Sequence, residues 1–397
     1  MKTALIIGGG IAGPVAALAL QRAGFAVTVF EARRQPGSDA GSYLSVASNG
    51  LDALAAIGAD RAALAGSFST TDLILCSGAG KRLATLPIGA RRPSGGTVTV
   101  RRATLHRALH EHAASQGIRF EYDKRLVDAA TGARVRARFA DGSEAAGDLI
   151  VGCDGIHSAT RRIIDPHAPL PRYVGLLNFG GYTAGTTAAP PGAWQMIFGK
   201  RAFFGYTTDP AGGTVWFANV PRHPATRDER ARTSTCAWKE YLAGLFAEDC
   251  GPARTLIAAG EIELAADNTH DLPSVPVWHR QSMIVIGDAA HAPSPSSGQG
   301  ASLAIEDGVV LAKCLRDLRD TTQAFAAFER LRRRRAERIV AHGARSSHNK
   351  TAGPIGRVVR DLMLPWVFRY LVNEKSLSWI YDYRINWDTP VESPVAA

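Results

Sequence analysis

The chain has 397 residues, 46% of them hydrophobic and 21% charged, with 46 Lys+Arg against 36 Asp+Glu and a net charge of +10. That composition excludes disordered, collagenous and coiled-coil proteins, and a chain of this length buries about three quarters of its unfolded surface without disulfide or metal staples. Five cysteines with no C-x-x-C pair argue against a disulfide framework or a zinc site and for a reducing cytoplasm.

The apolar run Thr3-Ala4-Leu5-Ile6-Ile7 ends at three glycines, so it reads as a buried strand and not as a signal peptide. No run reaches the ~20 apolar residues of a membrane helix. A helix is predicted from Pro14 to Ala23, closed by Gly24, and then a strand from Phe25 to Phe30. Strand, helix and strand in so short a span call for a right-handed crossover and a parallel sheet. Residues 48–65 have a helical pattern, and 71–76 and 83–88 read as strands. Thr97–Val100 reads as a strand and Ala103–Ser115 as a helix. Arg134–Phe139 and Asp148–Val151 flank Asp141-Gly142, a hairpin turn signal.

From about 172 to 265 aromatics alternate with turn glycines, among them Phe179, Trp194, Phe203, Tyr206 and Trp216. This predicts a mostly antiparallel sheet inserted in an α/β chain, because a buried strand returns at 282–287. Helices are expected at Ala301–Arg316, at Thr322–His342 and in the last fifty residues, with Pro365 as a kink or boundary.

Three segments carry chemistry. Gly8-Gly9-Gly10-Ile11-Ala12-Gly13 fits G-x-G-x-x-G between a strand and a helix. Gly8 permits the turn, Gly10 lets a pyrophosphate approach the backbone, and Gly13 lets helix and strand pack closely. The helix start offers free N–H groups to phosphates. Glu31 stands where an acid binds ribose hydroxyls, which suits FAD or NAD better than NADP, although Arg33 and Arg34 keep NADP open. The second segment runs from Asp148 through Asp154-Gly155 to Arg161, and by itself is a capped helix start. The third is Gly287-Asp288-Ala289-Ala290-His291, followed by Gly298-Gln299-Gly300-Ala301 and Glu306-Asp307. Asp288 is either a cap or a ligand, and His291 reads as a satisfied loop histidine.

In this order and spacing, the three segments resemble the single-component (class A) FAD-dependent aromatic monooxygenases. That group includes the p-hydroxybenzoate and salicylate hydroxylases and the tetracycline-inactivating monooxygenases. The resemblance extends to Arg102 and to the closing stretch Trp379–Trp387, and so covers almost the whole chain. It implies a Rossmann-like α/β FAD-binding domain made of residues 1–71, 96–171 and 275–345. It implies a substrate domain of 72–95 and 172–274 with an antiparallel sheet, and a C-terminal helical segment, 346–397.

Bound FAD is implied, held by Gly8, Gly10, Ile11, Ala12, Gly13, Glu31, Arg102, Asp154, Asp288, Gly298, Gly300 and Ala301. NAD(P)H is the implied co-substrate. It reduces the flavin, O₂ adds to give a C4a-hydroperoxide, and one oxygen atom passes to an aromatic or polyketide-like small molecule. No protein catalytic group is assigned, and no metal. Gln195, Phe203, Tyr206 and Pro295 are the substrate-pocket candidates, although period-two alternation prevents all of them from facing one side. Ser302 departs from the Asn of many relatives, and Ser294 replaces the first residue of a common Pro-Pro pair. A cytoplasmic monomer or homodimer is expected, without nucleic-acid or membrane partners. The rival readings are an FAD-dependent dehydrogenase or reductase without oxygen transfer, and a non-catalytic basic flavoprotein.

Overall fold

The computed structural model describes residues 1–34, 42–89, 96–350, 354–370 and 374–391. Of the expected domain segments, 90–95 and 392–397 therefore lie outside the described residues, as do 35–41, 351–353 and 371–373.

Thr3–Ile7 is the centre of a six-stranded sheet. It pairs in parallel with Ala26–Phe30 on one side and with Leu149–Gly152 on the other. Arg119–Glu121 extends the first side. Met283–Val285 extends the second and carries an antiparallel edge strand, His279–Arg280. The chain thus leaves Thr3–Ile7 in one direction and later returns to its other side, so a crevice opens beyond the strands' carboxyl ends. The turns after these strands carry Gly8, Glu31, Asp154 and Asp288 to that one edge.

The helix Ala12–Arg22 packs on this sheet and on the helix Gly300–Asp317. Two glycines make the contact possible. Gly8 has φ +104°, and a Cβ on it would lie 2.5 Å from the carbonyl oxygen of Cys153. A Cβ on Gly13 would lie 2.0 Å from the carbonyl oxygen of Gly8, which no side chain survives.

A second, nine-stranded sheet runs in the order Glu261–Asp271, Arg172–Ala184, Gly213–Pro221, Phe203–Asp209, Gly192–Phe198, Ser67–Ser77, Val98–Arg101, Tyr43–Val46, with Arg82–Pro87 beside Ser67–Ser77. Its pairings are antiparallel apart from Gly192–Phe198 with Ser67–Ser77. Ser67–Ser77 runs unbroken across the boundary expected at residue 72. On one face Phe179, Phe204 and Trp216 pack with Trp238 and Leu242 of the helix Thr235–Leu245 and with Leu256 of Ala253–Ala259.

Several sequence expectations change in detail. Val135–Phe139 does make a hairpin across Asp141-Gly142, but its partner is Glu144–Gly147. Leu149–Gly152, all of it buried, joins the parallel sheet, because four apolar residues in a row suit a strand covered on both faces. The 48–65 segment is two helices, Ser48–Ala55 and Asp60–Leu64, separated at Gly58, which has φ +72°. The helix expected to end at His342 continues through Asn349. The helix Pro354–Tyr370 runs through Pro365.

Replacing Gly13 by Val is expected to give insoluble protein or a markedly lowered melting temperature, because the overlap with Gly8 falls on backbone at a fully packed contact. Thermal unfolding of the expressed variant checks this, and a melting temperature equal to wild type would contradict it.

Candidate active site

A single cavity of about 1560 Å³ runs from the glycine turn to the nine-stranded sheet. Its lining includes Gly8, Gly10, Ile11, Ala12, Glu31, Arg102, Asp154, Asp288, Gly298, Gly300 and Ala301. Gly13 lies outside the lining and serves the packing beneath it.

The turn Gly8–Gly10 is open on the cavity side, for a Cβ on Gly10 would meet nothing within 4 Å. Glu31 braces this turn, accepting from the Gly9 N–H at 2.7 Å and from the Arg33 N–H at 3.0 Å. Each carboxylate oxygen keeps a further lone pair for another donor. The His106 ring binds the Gly9 carbonyl, with Nε2 2.7 Å from the oxygen.

Asp154 is engaged locally. It accepts from Ser158 Oγ at 2.5 Å and from the Thr160 N–H at 2.9 Å and hydroxyl at 3.0 Å. Ser158 in turn caps the helix Ala159–Ile164. The capped-helix reading of this segment is thus what its hydrogen bonds display. Buried Arg161 donates to the carbonyls of Ala289 and Ile156 and ties this turn to the turn of Asp288.

Asp288 sits in the turn Gly287–Ala289 and accepts no hydrogen bond from any described residue. Its side chain is solvent-exposed and opens on the cavity. Desolvation by the surrounding protein raises its carboxyl pKa, against the pull of His291 and Arg102. The helix Gly300–Asp317 begins without a side-chain cap and without an acid in its first turn. Its first amides therefore lack both intrahelical and side-chain partners, and they carry the positive end of the helix dipole.

Beneath this surface lies a buried ionic cluster. Asp307 accepts from the Gly287 N–H at 2.9 Å and from Arg332 Nε at 2.7 Å, and its Oδ2 lies 2.6 Å from His291 Nε2. Arg335 grips Glu306 with two bonds of 2.9 and 2.8 Å, and Asn49 donates to it at 2.6 Å. His291 is accordingly a satisfied histidine. Asp307 is the residue whose role the sequence reading missed, and the adjacent acids Glu306-Asp307 inside an apolar helix were the available signal. Burial pushes the Asp307 pKa up, but the charges of His291 and Arg332 and the bonds to it outweigh that and hold it at about 2.

The two departures from the family pattern are buried at helix contacts. Ser302 Oγ accepts from the Ala47 N–H at 3.0 Å, and a Cβ on Gly50 would lie 2.8 Å from that oxygen. Ser294 Oγ lies 2.7 Å from Ser347 Oγ and docks the Pro295 loop on the helix Thr321–Asn349.

Of the pocket candidates, Phe203 and Pro295 line the cavity, while Gln195 and Tyr206 do not. The register explains the correction. Gln195 pairs with Tyr206, and Phe198 with Phe203, so the two pairs face opposite sides of the sheet. Tyr206 belongs to the helix-covered core, whereas Trp194, Met196, Phe198, Phe203 and Phe217 face the cavity. Lys350, which the sequence did not single out, also lines it.

Comparison with known proteins agrees with this geometry. Residues 1–342 match the family model described as FAD binding domain. The aurachin C monooxygenase/isomerase of Stigmatella aurantiaca is 30% identical over 358 residues, covering 85% of this chain and 87% of that protein. The FAD-dependent urate hydroxylase of Klebsiella pneumoniae is 30% identical over 343 residues, with the same coverages of 85% and 87%. The solved structure of Klebsiella pneumoniae HpxO with FAD and uric acid superposes with a TM-score of 0.83 at 25% identity, covering 95% of this chain and 94% of that one. The chain belongs to the FAD binding domain family and, within it, to the FAD-dependent monooxygenases.

Replacing Asp307 by Ala leaves buried His291 without its carboxylate and removes one of the two acids that Arg332 bridges, and is expected to destabilise the fold by about 3–5 kcal/mol, read from denaturant midpoints. In the wild type the Asp307 contribution is fully present above its ordinary pKa of 3.8, and is lost as pH falls through about 2. An acid titration of stability that shows the same slope in wild type and variant between these limits would contradict the assignment.

Proposed function

We propose that the protein uses NAD(P)H and O₂ to hydroxylate, or otherwise insert one oxygen atom into, a flat aromatic or polyketide-like small molecule. The observation that carries this reading is the single cavity joining the glycine turn and Asp288 to an aromatic wall. In this reading residues 1–71, 96–171 and 275–345 hold FAD, 72–95 and 172–274 hold the substrate, and 346–397 is a helical segment.

The residues present suit FAD. The open backbone at Gly10 leaves room for a pyrophosphate, and Glu31 retains acceptor capacity for ribose hydroxyls. Asp288 is a carboxylate without a protein donor, as an acid on the ribityl chain would be before its ligand arrives. Arg102, whose charge is felt at Asp288, stands at the start of the helix Arg102–Ser115 on the cavity wall. The amides of Gly300 and Ala301 would serve the pyrimidine edge of the flavin, where the helix dipole favours the anionic reduced form. Bound there, FAD supplies electron transfer from NAD(P)H and activation of O₂. The protein's part is to orient that group, to stabilise negative charge, and to keep water from the reacting region. Trp194, Phe198, Phe203 and Phe217 provide the dry wall for that last task.

Two measurements test the reading. Asp288→Ala should weaken FAD binding by about ten- to a hundredfold, since a hydrogen bond to a charged group contributes about 1.5–3 kcal/mol. Circular dichroism should stay unchanged, and unaltered FAD retention would make Asp288 a turn residue only. Wild-type holoprotein should oxidise NADH or NADPH faster in the presence of some phenol or polycyclic aromatic in a panel. With labelled O₂ it should place one labelled oxygen in the product. Reduction of every O₂ to hydrogen peroxide, with no labelled product across the panel, would favour the dehydrogenase or reductase reading.

A further inference from the structure

The helix Thr321–Asn349 ends at Lys350, whose ammonium reaches into the aromatic part of the cavity. Nζ donates to Asn219 Oδ1 at 2.7 Å and to Ser296 Oγ at 3.0 Å. It stands 4.2 Å from the ring centroid of Phe203 and 5.7 Å from that of Phe217. Each of these partners is neutral. Among the described residues no carboxylate lies within ion-pair distance of Nζ.

A cation surrounded by phenyl rings and neutral acceptors is expensive to maintain. Burial lowers the Lys350 pKa to about 7, with no opposing acid. The ammonium has three protons, and two have protein acceptors, so one remains for a ligand. The holding is also rigid. Ser347 Oγ donates to Ser296 Oγ at 3.1 Å and lies 2.7 Å from Ser294 Oγ. A hydroxyl chain thus connects the lysine to the loop that leads into Gly298–Ala301. Asn219 is held from its other side, donating to Asn178 Oδ1 at 2.9 Å.

We propose that Lys350 is the specificity-determining residue of the substrate compartment, and that its ammonium pairs with an anionic oxygen of a flat aromatic substrate, a carboxylate or a phenolate, whose ring rests against Phe203 and Phe217. This inference rests on the reading of the aromatic end of the cavity as the substrate compartment. The pairing supplies the missing counter-charge, and it orients the ring relative to the Gly298–Ala301 loop through Ser296. A charge-assisted bond in a desolvated site discriminates strongly against a neutral isostere.

The test uses FAD-loaded protein and three probes of one shape: 2-naphthoate, 2-naphthol and the neutral 2-methoxynaphthalene. Dissociation constants are read from perturbation of the flavin spectrum. Wild type is expected to bind 2-naphthoate or 2-naphthol at least tenfold more tightly than 2-methoxynaphthalene, and which acid binds tells carboxylate from phenolate. Lys350→Met should abolish that preference while leaving 2-methoxynaphthalene affinity within about twofold, and Lys350→Arg should restore part of it. Asn219→Asp, which places a carboxylate against Nζ, should abolish the preference with the lysine still present, so the test survives poor folding of the methionine variant. Equal binding of acidic and neutral probes by wild type, or a preference that persists in both Lys350→Met and Asn219→Asp, overturns the role of Lys350 alone. Absence of binding by all three probes, or probe binding that displaces FAD, overturns the compartment assignment and this inference with it.

Discussion

The buried pairing of Glu306 and Asp307 with Arg332, Arg335 and His291 is the constraint on which the cavity depends. Adjacent residues of a helix point about 100° apart, so Asp307 faces His291 and Glu306 faces Arg335, while Arg332 bridges both acids. Asp307 holds the Gly287 amide and His291, and so sets the turn that presents Asp288. Glu306 holds Asn49, which also donates to Gln299 Oε1 at 3.0 Å, immediately before the open amides of the helix Gly300–Asp317. Arg332 reaches Asp307, and Arg335 reaches Glu306, from the helix Thr321–Asn349. Charges buried this deeply destabilise when any one partner is lost. The cluster therefore enforces one arrangement of two helices, one turn and one helix start.

The same helix continues to Lys350, so the element that clamps the acids also delivers a cation about two turns beyond Gly343. Its approach is close at that glycine, where a Cβ would lie 3.0 Å from Ser297 Cβ. The closing segment is fastened to the cluster as well. Arg335 Nη2 donates to the Ile380 carbonyl at 2.8 Å, and its guanidinium stacks 4.3 Å from the Tyr383 ring centroid. One ionic core thus coordinates features separated by most of the sequence.

The nine-stranded sheet divides its aromatics by parity. Phe204 and Tyr206 enter a core closed by helices, while Phe203 and Phe217 face the cavity. Trp194 Nε1 donates to Thr99 Oγ1 at 2.9 Å, which satisfies its one donor and leaves the ring as an apolar wall.

By itself the sequence determined the glycine turn and the strands around it. Their signals are local: an apolar run, three glycines and an acid at the end of the next strand. That Asp288 and the Gly298–Ala301 loop belong with them was what the family resemblance implied, because Gly-Asp at a strand end reads by itself equally as a cap. The hairpin partner of Val135–Phe139 was not legible, since Glu144–Gly147 has only small or charged residues and pairing alone makes it a strand. The inward aromatics were not legible either. Gln195 and Phe203 have equal standing in composition, and only the register of Gly192–Phe198 against Phe203–Asp209 separates them. Lys350 was hidden most completely. In a chain of net charge +10 a lysine in a polar segment looks like solvated surface. It becomes a half-buried cation because the preceding helix runs to Asn349 and ends against a sheet more than a hundred residues away in sequence. Tertiary structure decided that, because burial and pairing depend on which distant atoms surround a charge.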